Sequence, residues 1–263
     1  MKHALFVAPF GELADAGLLG GFARQAEARG WEGMFLWDHI QWETGLAVAD
    51  PWMCLTAIAI ATERMRIGLL VTPLTRRRPQ ELARQSTTLD RLSGGRLVFG
   101  VGLGHDRMHE LSAFGEIVDP VVQARRLDES LQVIAELWTG RTVNHRGDHY
   151  VADDVRFTPL PIQQPRIPVW VAGRTPNAAP TRRAARWDGY FPIDLSPDQV
   201  AAEMARIVAI RGDLDGFDLV VTQPPGTDPA PWAAVGVTWY LAGAGAAATA
   251  DELDAIIEAG PPS

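Results

Sequence analysis

The chain has 263 residues, 47% hydrophobic and 21% charged, with a formal net charge of -8. That balance belongs to an ordinary globular domain and speaks against non-specific nucleic-acid binding, which needs a basic surface. The single cysteine, Cys54, excludes an internal disulfide and fits a reducing, cytoplasmic setting; no run nears the ~20 apolar residues of a membrane span, and His3 to Val7 is too short for a signal core.

A length of 263 suits one barrel of roughly 250 residues, so 1-263 reads as a single domain. In chain order, the strand expectations are Ala4–Ala8, Gly33–Trp37, Arg66–Val71, Leu97–Val101, Val169–Ala172, Asp188–Phe191, Asp218–Thr222 and Val235–Leu241. Most are apolar almost throughout, as strands buried on both faces must be. Between them, Leu18, Phe22 and Ala26 mark one face of a first helix that stops at Gly30. Pro79 opens a helix that runs to Leu92 and closes at Ser93-Gly94-Gly95. Arg125 to Trp138 sets Leu127, Leu131, Ile134 and Trp138 on one stripe, and Pro197 to Ile210 repeats the pattern with Val200, Met204 and Ile207.

The first four strands begin about thirty residues apart, the length of a β-α-β unit. Such alternation allows a closed barrel or a doubly wound sheet, and eight strands without a second domain favour the (β/α)8 TIM barrel. Between Gly102 and Pro168 lies more than one helix. Thr142–Asn144 and His149–Val151 read as a hairpin around Arg146-Gly147-Asp148, and a proline-rich run comes after it. The whole excursion, set between the fourth and fifth strands, is expected over the barrel mouth.

Functional residues in a barrel sit just past the C-terminal ends of its strands. After the second strand come Trp37, Asp38, His39 and Trp42. His39 is the leading acid/base candidate because imidazole titrates near neutrality, and the indoles suit a substrate pocket. The bland alternative makes Asp38 a cap and His39 a loop residue. After the fourth strand, Gly102, Leu103 and Gly104 let the backbone approach a ligand, or simply allow tight packing. After the fifth, Gly173, Arg174 and Thr175 leading into a helix have the parts of an anion site, or of an ordinary cap. Arg76-Arg77-Arg78 reads as a rim for an anionic cofactor tail or as a solvated face. His105 and His109 stand four apart beside Glu110 but lack the zinc-protease pattern, so no metal is expected.

These stretches resemble the bacterial-luciferase-like superfamily of flavin and deazaflavin (F420) oxidoreductases. The similarity is densest from Arg66-Ile67-Gly68 through Thr72-Pro73-Leu74 and Arg78-Pro79, on through Thr88-Leu89-Asp90-Arg91-Leu92-Ser93-Gly94-Gly95-Arg96-Leu97, to Gly100-Val101-Gly102-Leu103-Gly104. It extends more weakly from His3 to about Pro192, and the C-terminal part reads as shortened. The resemblance implies a flavin-type ring in the mouth, with Gly173, Arg174 and Thr175 holding phosphate. It implies a non-proline cis peptide at or near Leu69-Leu70 backing that ring, so both residues are expected at the cofactor. It implies F420, since Leu103 stands where FMN-using relatives can place an arginine, with FMN as the alternative. The implied activity is hydride transfer to or from a small organic substrate, with His39 exchanging the substrate proton and Asp38 orienting it or meeting the ring edge. An FMN-dependent monooxygenase served by a separate flavin reductase, a non-catalytic ligand-binding barrel and, last, a metal-dependent hydrolase are the competing readings. A homodimer is also implied.

Overall fold

A computed structural model describes residues 1–43, 45–174 and 178–262. Eight parallel strands close into a barrel: β1 (Lys2–Val7), β2 (Gly33–Leu36), β3 (Arg66–Pro73), β4 (Leu97–Gly102), β7 (Val169–Gly173), β8 (Gly189–Pro192), β9 (Asp218–Gln223) and β10 (Trp239–Gly243). The remaining pair, β5 (Val143–Arg146) and β6 (Val151–Val155), forms a separate hairpin. Barrel closure is direct, with Lys2 to Phe6 in register against Trp239 to Gly243. Helices α1 (Ala16–Ala28), α2 (Pro51–Ala61), α3 (Pro79–Leu92), α4 (Pro120–Leu137), α5 (Ala178–Ala184), α6 (Pro197–Arg211), α7 (Ala230–Ala234) and α8 (Ala250–Ala259) alternate with the barrel strands. The C-terminal part is short in its helices, yet both closing strands and the final helix are present. Among the described residues no helix is long and apolar enough to cross a membrane.

Strand side chains alternate between two cores, following the period of two. Ala4, Phe6, Phe35, Leu70, Val98, Trp170, Phe191, Val220, Trp239 and Leu241 fill the barrel interior. Leu5, Val7, Met34, Leu36, Ile67, Phe99 and their neighbours pack against the helices. Room for Trp170 inside comes from Gly189, where a Cβ would meet the indole at 2.4 Å. Cys54 is a buried core residue, its thiol pushed up to about 11 chiefly by burial.

Helix starts follow local chemistry. Asp50 and Asp119 cap α2 and α4 just before Pro51 and Pro120, whose missing N–H costs nothing there. Ser196 with Gln199, and Thr249 with Glu252, form capping boxes for α6 and α8. On α1 the buried face is Leu19, Phe22, Ala23 and Ala26, so Leu18, expected inside, is turned outward. The last strand begins later than its apolar run suggested, because α7 ends at Ala234 and Gly236 turns the chain at φ 84°.

The excursion departs from expectation. Only its first part, after Gly102, lies at the mouth. The hairpin of β5 and β6 packs beside α4, and Gln163 donates to the Leu97 carbonyl at the start of β4. A crossover helix returns the chain to the N-terminal end of the barrel, and the hairpin and proline-rich run set out from that end. The second hairpin strand is also later than expected. The Glu129 carboxylate accepts the amides of His149 and Tyr150, which keeps those residues in the turn.

Candidate active site

Two adjoining cavities open at the C-terminal ends of the strands. The larger, about 350 Å3, is walled by Phe6, Trp37, Trp42, Leu70 and Phe191, with Asp38, His39, Thr222 and Arg107 among its polar lining. The smaller, about 210 Å3, lies between the ends of β4 and β7 and the helices α4 and α5, lined by Gly102, Leu103, Ala172, Gly173 and Arg183 among others. Val71, Gly104, His105, Arg174 and Ile193 line both. Larger hollows of about 820 and 660 Å3 lie elsewhere on the surface and contain none of the residues expected at the site. The mouth cavities, though smaller, bring together the residues with acid/base and anion chemistry.

β2 delivers Trp37, Asp38 and His39 to the larger cavity, as expected. His39 Nδ1 lies 2.6 Å from Glu110 Oε2, and Glu110 Oε1 accepts the Ile40 amide at 2.7 Å. A carboxylate bonded to one imidazole nitrogen fixes the tautomer and leaves the other nitrogen for chemistry. The His39 ring packs edge-on against Trp42, centroids 4.7 Å apart. Trp37 and Trp42 meet at 5.6 Å and form the aromatic wall. Trp52, at the start of α2, belongs to the sheet–helix core, 6.3 Å from Phe99.

Asp38 does not touch His39. Its buried carboxylate accepts from Arg76 and, at 3.2 Å, from Arg77. Arg76 also donates to Glu110 at 3.0 Å and to the Asp38 carbonyl at 3.1 Å. The carboxylate that orients His39 is therefore Glu110, and the orienting role expected of Asp38 falls to it. Burial pushes the Glu110 carboxyl up, but the bond and charge of His39, the Ile40 amide and Arg76 outweigh it and hold the group below the usual carboxylate range. Arg76 and Arg77 are neither a solvated face nor a free cationic rim: their side chains are 8% and 18% exposed and already paired.

His105 faces His39, ring centroids 5.6 Å apart. Burial pushes its imidazole pKa down, and His39, Arg174 and Arg107 push the same way against Glu110. His109 turns elsewhere, with Nδ1 3.2 Å from the Ser112 hydroxyl.

Of the residues expected at a cofactor, Leu70 lines the larger cavity and Gly102, Leu103 and Gly173 the smaller, while Gly104 and Arg174 border both. Leu69 does not join them; its side chain packs outward in the helix layer, and Val71 takes its place. The non-proline cis peptide lies at Leu70–Val71, one residue past the expected pair. Arg174 is ion-paired to Asp194, an exposed partner beyond β8. Thr175 lies outside the described residues.

The lining fits a flavin-type cofactor on two observations. A Cβ on Gly102 would meet Val71 Cγ2 at 2.5 Å, and one on Gly173 would meet Pro180 Cβ at 2.9 Å, both walls of the smaller cavity, so these two positions take only glycine without moving its lining. At the other cavity, Trp37 Nε1 and Asp38 Oδ2 are buried without hydrogen-bond partners among the described residues, a donor and an acceptor suited to a polar ring edge.

The fold is a (β/α)8 barrel with two adjoining cavities at its C-terminal end. The profile of the luciferase-like monooxygenases matches residues 11–255, and the chain belongs to that family. An F420-dependent glucose-6-phosphate dehydrogenase of Microbacterium testaceum (strain StLB037) is 36% identical over 186 residues, 68% of this chain and 52% of that protein. The same-named protein of Amycolatopsis mediterranei (strain U-32) is 36% identical over 165 residues, 60% of this chain and 48% of its own. The chain thus spans about half the length of these curated relatives. Among solved structures, an F420-dependent secondary alcohol dehydrogenase in complex with an F420-acetone adduct superposes with a TM-score of 0.83 at 16% identity, covering 98% of this chain and 97% of that one. The coenzyme F420 dependent tetrahydromethanopterin reductase from Methanopyrus kandleri gives 0.77 at 15%, with the same coverage. At such identities the likeness concerns the fold.

Proposed function

We propose that this protein is an F420-dependent oxidoreductase acting on a small organic alcohol or the matching carbonyl compound. One observation carries the reading: an imidazole locked by a carboxylate faces an aromatic cavity that continues into a pocket lined by Gly102, Gly104, Gly173, Arg174 and Arg183. The 36%-identical relatives, named as F420-dependent dehydrogenases, support the deazaflavin, as does Leu103 in a position where FMN-using relatives can carry arginine.

Leu70, Val71, Trp37 and Asp38 would hold the ring, and Gly102, Gly104, Gly173, Arg174 and Thr175 the phosphate, Arg174 exchanging Asp194 for it. The deazaflavin supplies the hydride acceptor or donor. The chain supplies proton traffic and orientation. With Nδ1 held by Glu110, His39 Nε2 takes the hydroxyl proton of an alcohol or returns it to a carbonyl oxygen. Phe6, Trp37, Trp42 and Phe191 keep water from that exchange and favour an apolar substrate body.

The test is anaerobic incubation of protein, F420 and a panel of alcohols, glucose 6-phosphate included, reading loss of oxidised F420. Reduction with at least one alcohol, slowed about 100-fold or more in His39→Ala, is the expected result. Oxygen-dependent turnover with reduced FMN and a flavin reductase, and none with F420, would move the protein to the two-component monooxygenases. Cofactor binding with no turnover in either assay would leave a ligand-binding barrel. A cytoplasmic setting and a homodimer are proposed with this reading; exposed Met53 and Ile60, seven residues apart on α2, present the apolar face a second copy would cover.

A further inference from the structure

Four charged side chains meet behind the His39 ring. Arg76 and Arg77 oppose Asp38 and Glu110, so the cluster is electrically balanced, and three of its members are buried almost completely. Arg76 is the only one of the four that touches both carboxylates: Nη1 donates to Glu110 and Nη2 to Asp38. The guanidinium reaches the two acceptors from two separate nitrogens in a fixed fork, a geometry that the single nitrogen of a lysine does not reproduce. Arg76 Nε is buried with no partner among the described residues, so the side chain is placed chiefly by its two carboxylates and not by a full set of backbone bonds.

We propose that Arg76 is the positioning residue of the proton-exchange site: by bridging Asp38 and Glu110 it keeps Glu110 an ionised acceptor, and through Glu110 it keeps the His39 proton on Nδ1. The proposal rests on the reading of His39 as the group that exchanges the substrate proton. Two carboxylates sharing a buried site cannot both stay ionised without a cation between them. Without Arg76, Arg77 still faces Asp38, and Glu110, 2% exposed, keeps only His39 and the Ile40 amide against its burial, so it is more readily protonated. A protonated Glu110 donates to His39 Nδ1 instead of accepting from it. The imidazole proton then moves to Nε2, the nitrogen that must be free to act as a base.

The other charged groups around this pair do not replace Arg76. His39 reaches Glu110 from the segment after β2, and His105 faces His39 from the loop after β4. Arg107 and Arg174 act on His105, and Arg174 is itself paired with Asp194.

The test uses the full chain, cofactor-free and labelled with 15N-histidine, with the His39 tautomer read from two-bond 1H–15N spectra between about pH 5 and about pH 9, where imidazoles titrate. Wild type should show Nδ1–H; Arg76→Met should shift His39 toward Nε2–H, and Arg76→Lys should fall between. In the F420 assay, Arg76→Met should lower kcat about 10- to 100-fold, with the acid limb of its pH profile moved upward. Added guanidinium ion should restore part of the rate in Arg76→Ala and none in His39→Ala. A wild-type tautomer and an unshifted profile in both Arg76→Met and Arg76→Lys would overturn the proposal. Should Arg76→Met fail to fold, Arg76→Lys alone decides it, since one nitrogen does not reproduce the two-nitrogen bridge and the contact to at least one carboxylate is weakened. If wild type fails to reduce F420, the functional reading falls, while the spectra still decide the role of Arg76.

Discussion

Two buried arginines, at opposite ends of the barrel, show how the same side chain serves structure in one place and chemistry in another. Arg96, beside the start of β4, donates from Nε to the Ser93 carbonyl, from Nη1 to the Thr62 hydroxyl and Met65 carbonyl, and from Nη2 to the carbonyls of Ala59 and Thr62. All five guanidinium donors are used, and the carbonyls include those left over where α2 ends. Arg76, at the mouth, spends its donors on two carboxylates and one carbonyl and leaves Nε unmatched. Asp38 Oδ2, Arg77 Nε and Trp37 Nε1 nearby are unmatched too. A guanidinium whose every donor is used locks the fold; one that shares its donors between two carboxylates and leaves Nε over is suited to a site that meets a ligand.

Substitutions can break that contrast, and the largest effect belongs to the mouth. His39→Ala should lower turnover about 100-fold or more, the usual size of an acid/base contribution, while F420 affinity changes little. Equal loss of both, in titration and steady-state kinetics, would remove its proton role. Arg96→Met should cost about 3 kcal/mol of stability by stranding buried carbonyls. For a chain of this size that is a fall of about 6–12 °C in Tm, with F420 affinity retained in the folded fraction. Weak melting loss with lost binding would reverse the assignment of the two ends. Arg174→Ala should weaken F420 about 10-fold, or 1.4 kcal/mol, and unchanged affinity would take it out of the phosphate pocket.

The smallest effect concerns acid stability. Glu110 is held below the usual carboxylate range, so its stabilising charge is fully present above an unfolded value of about 4.3 and is lost as pH falls through the depressed folded value. Glu110→Gln should therefore flatten the acid side of the Tm–pH curve. An acid slope equal to wild type would mean that Glu110 is not held ionised by its partners.

Much of the fold was legible because doubly buried parallel strands write themselves as apolar runs, and because α3 is punctuated at both ends by Pro79 and Ser93-Gly94. His39 and Asp38 were legible for the same reason, since the end of β2 points them to the mouth. Glu110 was not: it lies 71 residues from His39 and meets it only when β2 and β4 are brought into one barrel. Arg76 and Arg77 look like surface charge until their carboxylates are seen. Leu69 faces the helix layer with Ile67, as a period of two requires; what that period did not foresee is Val71, which joins Leu70 on the interior side where the β3–β4 register shifts. The hairpin slipped because the Glu129 carboxylate that fixes its turn comes from α4, outside the local pattern.

The central claim is that the mouth is a deazaflavin site, and parallel titrations of cofactor-free protein with F420 and with FMN, read by tryptophan and cofactor fluorescence, test it most directly. Trp37 and Trp42 stand in the cavity wall, so quenching should report binding there. Saturable binding of F420 at concentrations where FMN does not bind is the predicted result. Preference for FMN, or binding of neither, would contradict it.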